Sequence, residues 1–357
     1  MKRVLIVFLA LCLLIPAACA FAQQPAGKAD YKIPVVGMGY NDQFWQTVYD
    51  GVNAAAKDEN VEVFCTGPAS KGDVDSQVNM LKTAISSGSP VIILAVLSTD
   101  SVKSELKECI EKGIKVIGFD SGVPNAPDGS VAATVATDNE KAAAIGADKM
   151  FEDPNFQTAF KEATPEKPMV IAVVVRDAIL PSVMARATGF VNQMKKLCED
   201  AGKTVSVDGH PVWEKVKDNP AVIIRVQVPS ESSAIGITNL CSAVLNIDNL
   251  KAVFLTNEDV VNGFLSATND GADMKEGGAR QGLIVAGFDS GSPQKNAVRN
   301  RWFIGSVSQK PFEIGYQAVK QALRVIRGEK PENVDTGAVW YTADNMDSEE
   351  IKKMLYD

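Results

Sequence analysis

A single histidine, His210, serves the whole 357-residue chain. A His-dependent triad elsewhere is therefore impossible, and a zinc site of the usual His/Cys type is not expected. Cysteine is also sparse. Of six, Cys12 and Cys19 fall in the first 22 residues, and no two form a CxxC pair. Cys109, Cys198 and Cys241 sit in helical patterns beside apolar neighbours, where they read as small buried side chains. Sequence leaves the pairing of these three and Cys65 open. There is no Gly-x-x-x-x-Gly-Lys-Ser/Thr phosphate loop. Gly37-Met38-Gly39 begins like a dinucleotide fingerprint, but Asn41-Asp42-Gln43 occupies the turn where the next glycine should stand. Positive charge is in deficit, with a formal net charge of −8. That balance argues against a nucleic-acid partner, whose phosphates need a basic surface. After the N-terminus no apolar run reaches the length of a membrane span.

The N-terminus is different. Lys2 and Arg3 precede an apolar run, Val4–Ile15, and Ala20-Phe21-Ala22 supplies small residues where a signal peptidase reads. Cleavage after Ala22 is expected, which makes residues 1–22 a signal peptide. A second reading makes Cys19 a lipid-modified first residue. Both export the mature protein.

The most informative feature present is an echo. Gly113–Gly122 reads GIKVIGFDSG and Gly282–Gly291 reads GLIVAGFDSG. Each copy is an apolar run suited to a buried parallel strand, ending in Gly-Phe-Asp-Ser-Gly. Ligands of open α/β sheets bind beyond the carboxyl ends of strands. The echo therefore places Asp120 and Asp289 at equivalent lips of two similar domains.

Strand and helix patterns alternate along the chain, as βαβ units and parallel sheets require. Strands are expected at 33–38, 61–65, 90–96, 116–119 and 131–136, and the series restarts at 169–175. Further strands are expected at 222–228, 252–255, 283–288, 302–307 and 338–341. The helix from Phe44 carries Val48 and Val52 on one face, and a later one carries Val183, Ala187, Phe190, Val191 and Met194. Two stretches fit no repeat. Phe151–Lys167 reads as a long polar connection at a domain boundary, and Gly202–Pro220 as a charged surface insertion.

Several motifs together resemble the periplasmic binding proteins that feed sugar ABC transporters, near the ribose-binding and glucose/galactose-binding proteins. In order they are Asn41-Asp42-Gln43-Phe44-Trp45, Gly118-Phe119-Asp120, Thr137-Asp138-Asn139 and Arg186-Ala187-Thr188-Gly189-Phe190. Thr256-Asn257-Glu258, Gly287-Phe288-Asp289, Gln309 and Ile314-Gly315 complete the set. The resemblance covers about Lys32 to Asn345. It implies the type I fold, α/β with two doubly wound, Rossmann-like parallel-sheet lobes joined by a three-strand hinge. Carried over, one lobe holds residues 32–136 with 310–336, and the other 137–309 with 337–357. Related repressors share this fold behind a DNA-binding helix-turn-helix, and here the export segment takes that place.

The resemblance also implies site residues. Phe44 and Trp45 would stack on a sugar ring, although Phe44 also continues the core face of its helix. Asp42 would accept from ring hydroxyls, the alternative being a helix N-cap. Arg186 would donate to ring oxygen and hydroxyls through its fork. Asn257 can donate and accept at once. Asp120 and Asp289 are the echoed acids, and Gln309 sits at a hinge crossover. Where ribose-type proteins have an arginine after the first acid, this chain has Ser121. Where the family places another aromatic, Pro229–Ser233 has none, and Trp213 is a candidate substitute. A calcium site is not supported: Asp153, Asn155 and Gln157 lack the turn glycine, and Lys251 stands where a glutamate would be needed.

The expectation is thus a non-enzymatic, monomeric periplasmic receptor, without cofactor or metal, that captures a monosaccharide-like polyol between its lobes and presents it to an ABC transporter permease. The alternatives are a sensory receptor of the same fold, a binder of a nucleoside, cyclitol or sugar-derived signal, and an exported glycoside hydrolase using the two acids.

Overall fold

The computed structural model describes residues 32–70 and 72–356. The expected signal peptide and the lipidation site at Cys19 lie outside the described residues. The first half runs β1 (Ile33–Val36), α1 (Gln43–Asp58), β2 (Val63–Thr66), α2 (Val74–Ser86), β3 (Val91–Leu94), α3 (Lys103–Glu111), β4 (Lys115–Phe119) and β5 (Val131–Ala136). The series restarts with α4 (Asn139–Glu152), α5 (Pro154–Glu162), β6 (Met169–Val174), α6 (Pro181–Asp200), β7 (Val205–Asp208) and β8 (Val222–Gln227). It continues through α7 (Ala234–Val244), β9 (Leu250–Leu255), α8 (Glu258–Ala267), β10 (Ile284–Phe288), α9 (Ser292–Arg299) and β11 (Gly305–Gln309). The chain closes with α10 (Pro311–Ile326), β12 (Val334–Asp335), β13 (Ala338–Tyr341) and α11 (Glu349–Lys352).

The strands form two sheets, ordered β12-β5-β4-β3-β1-β2 and β13-β11-β10-β9-β6-β8-β7. Every pairing is parallel except that of β13 with β11. Strands β1, β3 and β6 are buried along their whole length, which explains their unbroken apolar runs. In each sheet the chain first adds strands on one side of its first strand, β2 in the one and β7 and β8 in the other, and then on the opposite side. The reversal falls beside β1 in the first and β6 in the second, so β1, β3 and β4 correspond to β6, β9 and β10. Ligand crevices form at such switch points, beyond the strands' carboxyl ends.

Helices lock onto each sheet through small residues. A Cβ at Gly51 would come within 2.0 Å of the Phe312 carbonyl oxygen, and one at Gly315 within 1.9 Å of that of Val48. These glycines let α1 and α10 touch backbone to backbone, which fixes α10 on the first sheet although it follows β11 of the second. Gly189 does the same between α6 and α4, a Cβ there meeting the Glu140 carbonyl oxygen at 2.2 Å.

Both irregular stretches turn out to be organised. Phe151–Lys167 is no boundary connection: it holds α5, capped by Asp153, whose side chain accepts from the amides of Asn155 and Phe156. Phe156 and Phe160 are buried one turn apart and pack with Phe151. Gly202–Pro220 contributes β7, which extends the second sheet beside β8. Trp213 is buried there, donating through Nε1 to Thr188 Oγ1 at 2.9 Å. It fills the flank of α6 and does not supply the missing aromatic. The expected strand from Trp302 begins only at Gly305. Cys65, Cys109, Cys198 and Cys241 are all free thiols, the last three buried.

Candidate functional site

The echoed acids occupy matching places. Asp120 follows β4 with φ +54°, and Asp289 follows β10 with φ +82°. Aspartate is among the few residues that enter this left-handed region at modest cost. Each backbone N–H then donates to the neighbouring strand, Asp120 to Val135 O at 3.0 Å and Asp289 to Val307 O at 2.7 Å. Both acids, each at its strand tip, line one cavity between the sheets.

Asp289 is the hub. Its Oδ1 accepts from Gln309 Nε2 at 3.1 Å, and its Oδ2 from Arg186 Nη1 and the Glu258 amide, each at 3.2 Å. Arg186 extends from α6 and is 4% exposed. It donates from Nε to Asn139 Oδ1 at 2.8 Å and from Nη1 to Thr256 O at 3.0 Å, with its guanidinium 3.8 Å over the Phe288 ring. These contacts hold a buried charge that would be costly if unpaired. Asn139 lies at the β5–α4 crossover and donates in turn to Thr137 O. Arg186 is thus aimed by the chain's passage between sheets.

Two amides face the same space. Asn257 donates from Nδ2 to Asp259, and Gln309 from Nε2 to Asp289. A carboxylate oxygen can only accept, so these bonds fix which way each amide points. Asn257 Oδ1 and Gln309 Oε1 are consequently buried, and neither accepts a hydrogen bond within the protein. Buried acceptors without partners are uncommon and call for an explanation.

The opposite wall comes from the first sheet. Phe44 and Trp45 meet edge to face, ring centroids 5.6 Å apart. Trp45 is almost wholly buried, packing also on Phe119 and Tyr49, and so serves core and cavity together. Phe44 is half-buried and touches Tyr356 of the C-terminal tail at 5.8 Å. The Tyr356 hydroxyl lies 3.2 Å from both the Ser290 amide, which donates to it, and Glu258 Oε2. Burial raises the Tyr356 phenol well above its ordinary value.

The structure therefore gathers seven of the nine expected residues, Phe44, Trp45, Asp120, Arg186, Asn257, Asp289 and Gln309, around one cavity. Two lie elsewhere. Asp42 caps α1, accepting from the Trp45 amide at 2.9 Å, and lines a neighbouring polar cavity with Arg176 and Asp259. Ser121 turns its hydroxyl back toward Val96 O and Met38 Sδ, at 3.2 and 3.4 Å. Met38, Leu97, Leu180, Ser182, Val183, Glu258 and Asp259 also line the cavity, beyond the residues expected from the sequence. Glu258 and Asp259 adjoin Asn257 and were within reach of the strand-end rule. The apolar four carry no such signal. Among the described residues no cluster could hold a metal ion and no helix is long and apolar enough to cross a membrane.

Comparison with known proteins gives a consistent result. Residues 33–330 match the model of a periplasmic binding protein domain. The D-allose-binding periplasmic protein of Escherichia coli is 22% identical over 285 residues, 78% of this chain and 79% of that protein. A solved structure described as an ABC transporter, LacI family transcriptional regulator from Brachyspira murdochii is 35% identical. It superposes with a TM-score of 0.79, covering 92% of this chain and 99% of its own. An ABC transporter solute-binding protein from Agrobacterium vitis, solved with D-fucose, is 26% identical with a TM-score of 0.72, covering 91% of this chain and all of its own.

Proposed function

The chain belongs to the periplasmic binding protein domain family, and from that premise we propose that it captures a monosaccharide-like ligand between its two sheets and delivers it to an ABC transporter. The observation that carries the reading is the pair of orphan amide oxygens, Asn257 Oδ1 and Gln309 Oε1, beside the Asp289–Arg186 pair and across from Phe44, Trp45 and Asp120. Ring hydroxyls would donate to the two amide oxygens and the carboxylates. Charge-assisted bonds of this kind are the strong ones. The aromatic pair would meet the apolar C–H face of the ring.

Relatives with D-allose or D-fucose in their descriptions favour a neutral carbohydrate over a nucleoside or a signal molecule. Binding and release without turnover is the activity of such proteins, so the chain is a receptor rather than a hydrolase. We place it outside the cytoplasm, exported by residues 1–22, and working as a monomer without nucleic acid. The lobes are assigned as residues 32–136 with 310–336, and 137–309 with 337–357. Support comes from the sheets, since β12 joins the first and β13 the second.

The cavity measures about 50 Å³, room for a few waters rather than a sugar ring. Gln43 Nε2 reaches Ser292 Oγ across the cleft at 3.4 Å. The lobes must therefore part to admit ligand, which makes binding a hinge transition. A thermal-shift screen of pentoses, hexoses, polyols and nucleosides tests the reading. A ligand that binds only the folded state raises the melting temperature. A shift with a monosaccharide supports it; shifts with nucleosides alone, or with none, refute it.

A further inference from the structure

The two walls of the cavity are built from matched strand tips yet differ in chemistry. At the tips of β4 and β10 both walls carry an acid, Asp120 and Asp289. Past β9 stand Asn257 and Glu258, whereas the residues in register with them past β3 are Val96 and Leu97. Past β6 stand Arg176 and Asp177, paired with each other, whereas the counterpart past β1 is Met38. Met38 and Leu97 are 5% and 7% exposed, and both line the cavity. Ser121, which follows Asp120, points its hydroxyl away. Apart from Asp120, the first wall of the cavity is therefore Met38, Leu97 and the two aromatic rings.

A hydroxyl pressed against that wall would leave water with nothing to bond. Burying it unpaired is unfavourable, whereas a methyl or methylene there gains apolar contact. We infer that the ligand is a deoxy sugar: hydroxyls along the edge that meets Arg186, Asn257, Asp289 and Gln309, and a C–H or C–CH3 group in place of a hydroxyl on the edge that meets Met38 and Leu97. This inference rests on the carbohydrate reading above and narrows it. An apolar pocket rejects an added hydroxyl only moderately, which bounds the preference at roughly a hundredfold.

The test is calorimetric titration of the mature protein with matched pairs: D-fucose and D-galactose, L-rhamnose and L-mannose, 5-deoxy-D-ribose and D-ribose. In the pair that binds, the deoxy member should be tighter by roughly tenfold to a hundredfold. Leu97→Asn, checked for an intact melting transition, should shrink that ratio, and Met38→Gln provides a second variant should the first not fold. Equal affinity, or tighter binding of the parent sugar, overturns the inference and leaves carbohydrate binding standing. No heat with any of the six overturns the inference, and the thermal-shift screen then decides whether the wider reading survives.

Discussion

At Asp289 one carboxylate holds Arg186, Gln309 and the Glu258 amide. Asp289→Ala should therefore lower stability as well as affinity, because Arg186 would stay buried with only Asn139 and a carbonyl as partners. Breaking a buried pair costs about 3–5 kcal/mol, and the surviving partners put this case at the lower end. Urea unfolding reads the change, and an unaltered midpoint would show that the pair contributes nothing. The echoed acids were legible because strand, glycine and aspartate recur together. Asp42 and Ser121 are turned from this cavity for local reasons. The start of α1 needs a cap, and a short hydroxyl beside a strand end finds a carbonyl before it finds the cavity. Met38 and Leu97 were illegible because an apolar residue past a buried strand looks like more of the strand.

Among the elements, the close helix crossings are the sensitive joints. Gly315→Ala would drive a methyl into the Val48 carbonyl on α1, and Gly189→Ala would do so against Glu140. Each should cost roughly 1–3 kcal/mol or more, read from chemical unfolding. Loss below about 0.5 kcal/mol would mean the helices separate easily, since ordinary surface changes stay within that range. The same α1–α10 joint is tied by Glu59, whose carboxyl is held below its usual range by hydrogen bonds from Lys320 and then Arg327. A depressed acid stabilises the fold above its unfolded pKa, and that contribution is lost as pH falls through the lower folded value. Glu59→Gln should flatten the acid limb of the stability profile below about pH 4.5, and an unchanged limb would contradict this. Long strands and the helices with large apolar faces were readable. Helix α4 was not, because its inward face is mainly alanine and glycine. Helix α5 shows just two inward aromatics, Phe156 and Phe160, in an otherwise polar run.

Over the whole molecule, the four cysteines among the described residues are free thiols and contribute through packing. Burial pushes the Cys198 and Cys241 thiols up to about 12 and Cys109 to about 11. Their thiolates are scarce in the folded state, so a thiol reagent at pH 8 should modify them no faster than the protein opens. Rapid labelling of the native protein would contradict that burial. Above pH 9 the same shifts should erode stability, since the unfolded chain releases thiol protons that the folded one retains. The duplicated architecture was legible from the restart of the strand series. The difference in chemistry between the two halves was not, because it depends on which side chain stands at each matched tip.

The acids at the two matched tips are expected to grip one neutral, hydroxylated guest. Parallel calorimetric titrations of the wild type, Asp120→Asn and Asp289→Asn with the carbohydrate that binds the wild type test it most directly. One site is expected in the wild type, with affinity weakened roughly tenfold to a hundredfold in each variant, the worth of a charged hydrogen bond. Wild-type affinity in either variant would contradict it.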